Sequence, residues 1–199
     1  KRKLKHFDYA VVANFSPDTF YNGKSIEQIN LMKGRKHKAK EEALTVIDIM
    51  NAGGASAVFH GMSNEDVKRI MQYPFNMFAS DASIRVLNAG MPHPRGYGTN
   101  ARVLGKYVRE EKVISLEEAI RRMTSLPAQK FQLHNRGLIK EGMAADIVIF
   151  DEASVKDLAT FEKPHAYSTG FHYVIVNGML TVENEKHLGV RAGKALLNQ

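Results

Sequence analysis

Apolar positions along the chain recur at two different spacings, and these predict its elements. Residues 9–15 form a β-branched apolar run, closed by Ser16, Pro17 and Asp18, as expected of a buried strand. Ser25 with Glu27 and Gln28 behind it predicts a short capped helix reaching Met32. Between 39 and 50, Ala43, Leu44, Ile47 and Met50 return at helical spacing, and Gly53 with Gly54 stops that helix. Residues 55–59 read as the next strand. Ser63 then caps a helix that carries Val67, Ile70 and Met71 on one face, with Asp66 in its first turn and Pro74 beyond its end. Residues 76–80 read as a short third strand delivering Asp81 at its C-terminal end. Strands alternating with helices imply parallel α/β structure, in which chemistry gathers at the C-terminal ends of strands.

Farther on the spacing changes. Residues 88–98 are rich in Gly and Pro and have no period, so they read as a specific, rigid loop. Helices are predicted over 99–112, over 115–123 from a Ser115/Glu118 capping box, and over 127–133 with Pro127 near the first turn. Residues 137–142 are turn-rich and 145–150 form a strand. Residues 171–176 and 179–182 form a hairpin about an Asn177-Gly178 turn. The last third is thus a small β unit behind a helical segment.

Composition narrows the chemistry. The 199 residues include no Cys, which excludes a disulfide framework, thiolate-held zinc, iron–sulfur clusters and a Cys nucleophile. With 28 Lys+Arg against 21 Asp+Glu the net charge is +7. The excess lies in two runs, one of Lys1, Arg2, Lys3 and Lys5, the other of Lys33, Arg35, Lys36, Lys38 and Lys40 around His37. No recognition helix, zinc-finger spacing or aromatic strip accompanies them. They read as solvated surface, and no nucleic-acid partner is expected. No apolar run approaches the ~18 residues of a membrane span, so no membrane partner is expected. No targeting segment is visible, which leaves cytoplasm and periplasm open. Residue 1 is Lys rather than Met, and a chain of that kind is expected to have been cut from a longer one.

Several side chains are candidates for chemistry. Asp81, at a strand end beside Ser80, suits a metal ligand or general base, and equally a loop cap. Arg95, between Pro94 and Gly96, offers a restrained planar fork for a carboxylate, or a surface ion pair. His93 suits a ligand, a proton shuttle or a polar loop residue. His60 follows a strand in a ligand-type position, but the remaining histidines are scattered and no H-x-H or H-E-x-x-H occurs. There is no P-loop, G-x-G-x-x-G or G-x-S-x-G elbow.

One pattern is specific. Arg136-Gly-Leu-Ile-Lys-Glu-Gly-Met-Ala-Ala-Asp-Ile-Val-Ile-Phe-Asp151, with Val174-Ile-Val-Asn-Gly178 behind it, resembles the C-terminal signature of the amidohydrolase superfamily. Phe78-Ala-Ser-Asp81, His93-Pro-Arg95-Gly-Tyr-Gly-Thr99, Arg102-Val-Leu-Gly105, Thr160-Phe-Glu-Lys-Pro164 and Asn22-Gly-Lys-Ser25 are similar to the D-aminoacylase (N-acyl-D-amino-acid deacylase) branch, and the likeness runs from about Phe7 to the C-terminus. The resemblance implies an α/β chain. Residues 1–134 would be the C-terminal part of a metal-dependent TIM-like barrel, with a basic insertion near 33–40. Residues 135–199 would be part of a small β-sandwich and a tail.

It also implies a function: metal-dependent hydrolysis of N-acyl-D-amino acids. Asp81 would bind the metal, most simply zinc, and act as general base on the hydrolytic water. Arg95 would hold the substrate's α-carboxylate. The departures are as informative. The family is more than twice this length. Its H-x-H strand and other metal ligands are missing here, Ala82 stands where Gly is common, the loop from Asp81 to Arg95 is longer, and His60-Gly61 has no counterpart. The isolated chain is therefore expected to be inactive, with open strand edges that a second copy would satisfy. Two rival readings remain: another amidohydrolase, such as a cyclic amidase or deaminase, and a non-enzymatic dimerisation or interaction module.

Overall fold

The computed structural model describes residues 5–84 and 86–196. Lys1, Arg2 and Lys3 of the first basic run lie outside them. The chain divides into two compact units, one of Lys1–Ser63, Ser83–Gly96 and Thr160–His165, the other of Asn64–Ala82, Tyr97–Ala159 and Ala166–Gln199.

In the first unit, β1 (Ala10–Asn14) pairs with β2 (Ser56–Phe59), Ala10 opposite Phe59 and Val12 opposite Ala57. The pair is antiparallel, which corrects the expectation of a parallel order. After a single 3-10 turn at Thr19–Tyr21 the chain doubles back on β1: the Gly23 N–H donates to the Val12 carbonyl at 2.7 Å, and the Val12 N–H to the Lys24 carbonyl at 2.9 Å. Gly23 makes this reversal at φ +81°, where a side chain would be strained. One edge of β1 is thereby taken. The Tyr9 carbonyl, just before β1, accepts from the His60 N–H at 2.8 Å. The strand–helix alternation that points to parallel pairing is not followed here, where β1 and β2 lie antiparallel.

Helix α1 (Ile26–Met32) begins with the predicted capping box, completed by Gln28: the Ser25 hydroxyl accepts from Gln28 N–H and the Gln28 side chain from Ser25 N–H. Helix α2 (Ala39–Asn51) follows. Ala10, Val12, Phe15, Ile26, Ile29 and Ile49 form the core between these helices and the strands. The predicted apolar stripe of α2 does not face it. Leu44, Ile47 and Met50 are 40%, 52% and 64% exposed, whereas Glu42 and Thr45 are fully buried beside Ile49. Buried polar groups tolerate such a position only when satisfied. The Thr45 hydroxyl donates to Asn30 Oδ1 at 3.1 Å and accepts from Arg35 at 3.0 Å, and both Glu42 oxygens are bonded.

The second unit begins with α3 (Asn64–Met71). Residues 76–80 do not form the predicted third strand. They have no ladder partner among the described residues, and only Phe78 packs onto a core. Their backbone is held instead by isolated bonds, the Phe78 N–H donating to the Arg122 carbonyl at 3.4 Å and the Asn76 N–H to the Tyr73 carbonyl at 3.3 Å. Helix α4 (Arg95–Arg102) contributes to this unit from Tyr97 onward. It continues into a π-helical stretch, Val103–Glu110, whose wide turn is closed by Glu111 N–H donating to the Lys106 carbonyl at 2.8 Å. Helix α5 (Leu116–Met123) has one half of the predicted capping box, the Ser115 hydroxyl accepting from Glu118 N–H, while the Glu118 carboxylate pairs with Arg121 and Arg122; α6 (Ser125–Lys130) starts two residues earlier than expected.

Strands β3 (Ile147–Phe150), β4 (Phe171–Val176), β5 (Met179–Glu183) and β6 (Lys186–His187) form an antiparallel sheet in chain order. Asn177 and Gly178 join β4 to β5 at φ +49° and +80°, the left-handed pair a two-residue hairpin needs.

Ala101, Val103, Leu104, Val108, Ala119 and Val155 form the core of this unit. The helix approaches the 155–157 backbone very closely: a Cβ on Gly98 would stand 2.7 Å from Asp157 Cβ, and one on Gly105 2.6 Å from the Val155 carbonyl oxygen. Arg109 locks the contact by donating to the carbonyls of Glu152 (2.9 Å) and Val155 (2.7 Å). Arg122 is 2% exposed and joins α5 to α3, donating to the Met71 carbonyl at 2.5 Å and to Glu118 at 2.8 Å. Among the described residues no helix is long and apolar enough to cross a membrane.

Candidate functional site

Arg95 and its neighbours form one grouping in the first unit. Contrary to the loop expectation, Arg95 lies on α4. The His93 Nδ1 accepts the Arg95 N–H at 3.0 Å and Pro94 directly precedes the first helical residue, Arg95, so the His-Pro-Arg motif is itself a helix start. The Arg95 side chain is exposed. His93 and His60, far apart in sequence, converge on one ring: their centroids lie 4.9 and 4.5 Å from that of Phe161. Burial holds the His93 imidazole below its ordinary value of 6.5, and the Arg95 and His60 charges push it the same way. His93 is thus kept neutral beside a cation. No linear spacing pairs His60 with His93; the 160–164 stretch brings them together through Phe161.

Asp81 belongs to the second unit. It is exposed and adopts φ +47°, a left-handed conformation that Asp tolerates better than most residues. It stands in open chain rather than at the end of a paired strand. Among the described residues, Asp81 belongs to no group of three or more His, Asp or Glu side chains able to share one ion.

A different group meets that description. His6, Glu27, His37 and Glu42 in the first unit place one donor atom each within 4.8 Å of all the others. The two histidines look unrelated in sequence. No sequence signal marks Glu42 either, because the face of α2 that turns inward is not its apolar stripe.

Residues 30–182 match the amidohydrolase family, and the chain belongs to it. Within that family its similarity is to the D-aminoacylase branch. It is 36% identical over 175 residues to the D-aminoacylase of Alcaligenes xylosoxydans xylosoxydans, covering 88% of this chain and 34% of that protein. The crystal structure of a D-aminoacylase that defines a novel subset of amidohydrolases superposes with a TM-score of 0.81 at 35% identity, over 92% of this chain and 36% of the other. N-acyl-D-glutamate deacylase from Bordetella bronchiseptica, complexed with zinc and a phosphonate inhibitor that mimics the tetrahedral intermediate, superposes with a TM-score of 0.76 at 34% identity, over 88% of this chain and 35% of that one. The chain spans about a third of the length of these proteins.

Proposed function

We propose that this chain is the C-terminal portion of a metal-dependent hydrolase that cleaves the amide bond of N-acyl-D-amino acids. The observation that carries the reading is the agreement with D-aminoacylase over nearly the whole chain, in sequence and in fold. In this reading residues 1–134 belong to the barrel and 135–199 to the small sandwich, the latter supported by the antiparallel sheet from β3 onward. Zinc belongs to the complete enzyme, with its ligands other than Asp81 lying outside this chain.

The roles of the two site residues are those the family resemblance implies, and their chemistry suits them. Asp81 takes the proton of the hydrolytic water and returns it to the departing amine nitrogen; an exposed carboxylate in open chain is accessible for both transfers. Arg95 binds the α-carboxylate. Its guanidinium is always charged and suited to two parallel hydrogen bonds, and the helix start fixes its backbone. His93 keeps that start in place and adds no competing positive charge.

Activity assays on the complete enzyme test the reading. Asp81→Asn is expected to lower kcat by about 10²–10⁴. Arg95→Ala is expected to raise KM for N-acyl-D-amino acids while leaving substrates with an amidated carboxylate unaffected. Equal loss on both substrates would remove Arg95 from carboxylate recognition. The 199-residue chain alone is expected to be inactive with zinc supplied, and turnover by it would overturn the assignment of the remaining ligands to the rest of the enzyme.

A further inference from the structure

We propose that His6, Glu27, His37 and Glu42 form a structural binding site for a divalent transition-metal ion, with zinc the best fit. The four come from separate stretches: the N-terminal segment, the first turn of α1, the basic connection between α1 and α2, and the first turn of α2.

Glu42 is the centre of the arrangement. It is fully buried, an expensive place for a carboxylate unless both oxygens are engaged. Its Oε1 lies 2.6 Å from His6 Nδ1 and 3.9 Å from His37 Nε2, while Oε2 accepts the Phe7 N–H at 2.7 Å. His37 Nε2 is also bonded to Glu27 Oε1. The two imidazoles are stacked with centroids 4.0 Å apart.

These contacts have the chemistry of a metal centre. Two imidazole nitrogens and two carboxylate oxygens are donors zinc accepts at about 2.0–2.2 Å, usually four at a time and tetrahedrally in structural sites. Such a tetrahedron spaces its donors about 3.3 Å apart. The present spacings lie on either side of that value and none exceeds 4.8 Å, so an ion is accommodated by changes of up to about 1.5 Å in donor–donor spacing. A single dication satisfies both nitrogens and both carboxylates at once. The Phe7 N–H on the outer oxygen of Glu42 is the supporting contact that orients such a ligand. An ion there would tie the N-terminal segment and the basic connection to both helices.

The test is zinc alone, titrated into the metal-stripped 199-residue chain. One equivalent is expected to bind, and at about a hundredfold excess over Kd the unfolding midpoint should rise by about 5–10 °C. Cobalt(II) in its place should give the visible bands of a tetrahedral centre. His37→Ala removes a side chain that is 51% exposed, so its fold is expected to survive. It should weaken zinc at least about tenfold and abolish the cobalt spectrum. His6→Ala should do the same by itself, which keeps the test sound if either variant is poorly folded. Zinc bound as tightly by both variants as by the parent chain, or no stabilisation of the parent chain, would overturn the proposal and leave the cluster a hydrogen-bonded staple.

Discussion

Replacing Gly105 by Ala tests the closest approach in the second unit. The added methyl carbon would stand 2.6 Å from the Val155 carbonyl oxygen and 3.5 Å from Lys156 Cα. An undistorted carbon–oxygen contact needs about 3.3 Å, so helix or backbone must give by about 0.7 Å. Neither yields readily. Val155 is fully buried, and its carbonyl is fixed by Arg109 at 2.7 Å from the same face of the helix. Overpacking of this kind costs about 1–3 kcal/mol, and the better helix propensity of Ala returns at most about 1 kcal/mol. The expected net loss is about 1–2 kcal/mol, or about 2–8 °C in midpoint for a chain of this size. Urea unfolding and thermal melts followed by circular dichroism measure it. Gly61→Ala is the control: nothing lies within 4 Å of its added carbon, and a change within about 0.5 kcal/mol is expected there. A Gly105→Ala protein as stable as its parent would refute the close packing of helix on the 155–157 backbone.

Two further outcomes concern pH. Arg121 and then Arg122 hold the Glu118 carboxyl at about 2, below its ordinary 4.5, so its contribution is complete above pH 4.5 and lost as pH falls toward about 2. Glu118→Gln should flatten that limb in unfolding midpoints measured against pH. For His93, burial and then the charges of Arg95 and His60 resist protonation, so folding stability should fall as pH drops below 6.5. An NMR titration should place its midpoint under 6.5 and Arg95→Gln should raise it; a native midpoint at or above 6.5 would contradict the site geometry.

Much of this molecule was legible in its sequence because the signals are local. Ser25 and Ser115 cap helices through hydroxyls that reach only three residues ahead. Asn177-Gly178 makes a hairpin because both residues accept positive φ. The Arg136–Asp151 signature resembles the amidohydrolases, and the family match bears that out. These features need no knowledge of what lies across the fold.

What tertiary structure alone decided is direction, facing and convergence. That β1 and β2 run antiparallel is a long-range pairing that the order of strands and helices does not encode. The period of α2 is plain, yet the face turned inward carries Glu42 and Thr45, because partners from Asn30, Arg35, His6 and Phe7 compensate their burial. His60 and His93 meet on Phe161, and His6 meets His37, through contacts that no spacing rule encodes. A sequence states local preference and amphipathic period. Hydrogen-bond satisfaction of buried polar groups is a property of the whole arrangement, and here it determines which side of a helix is the inside.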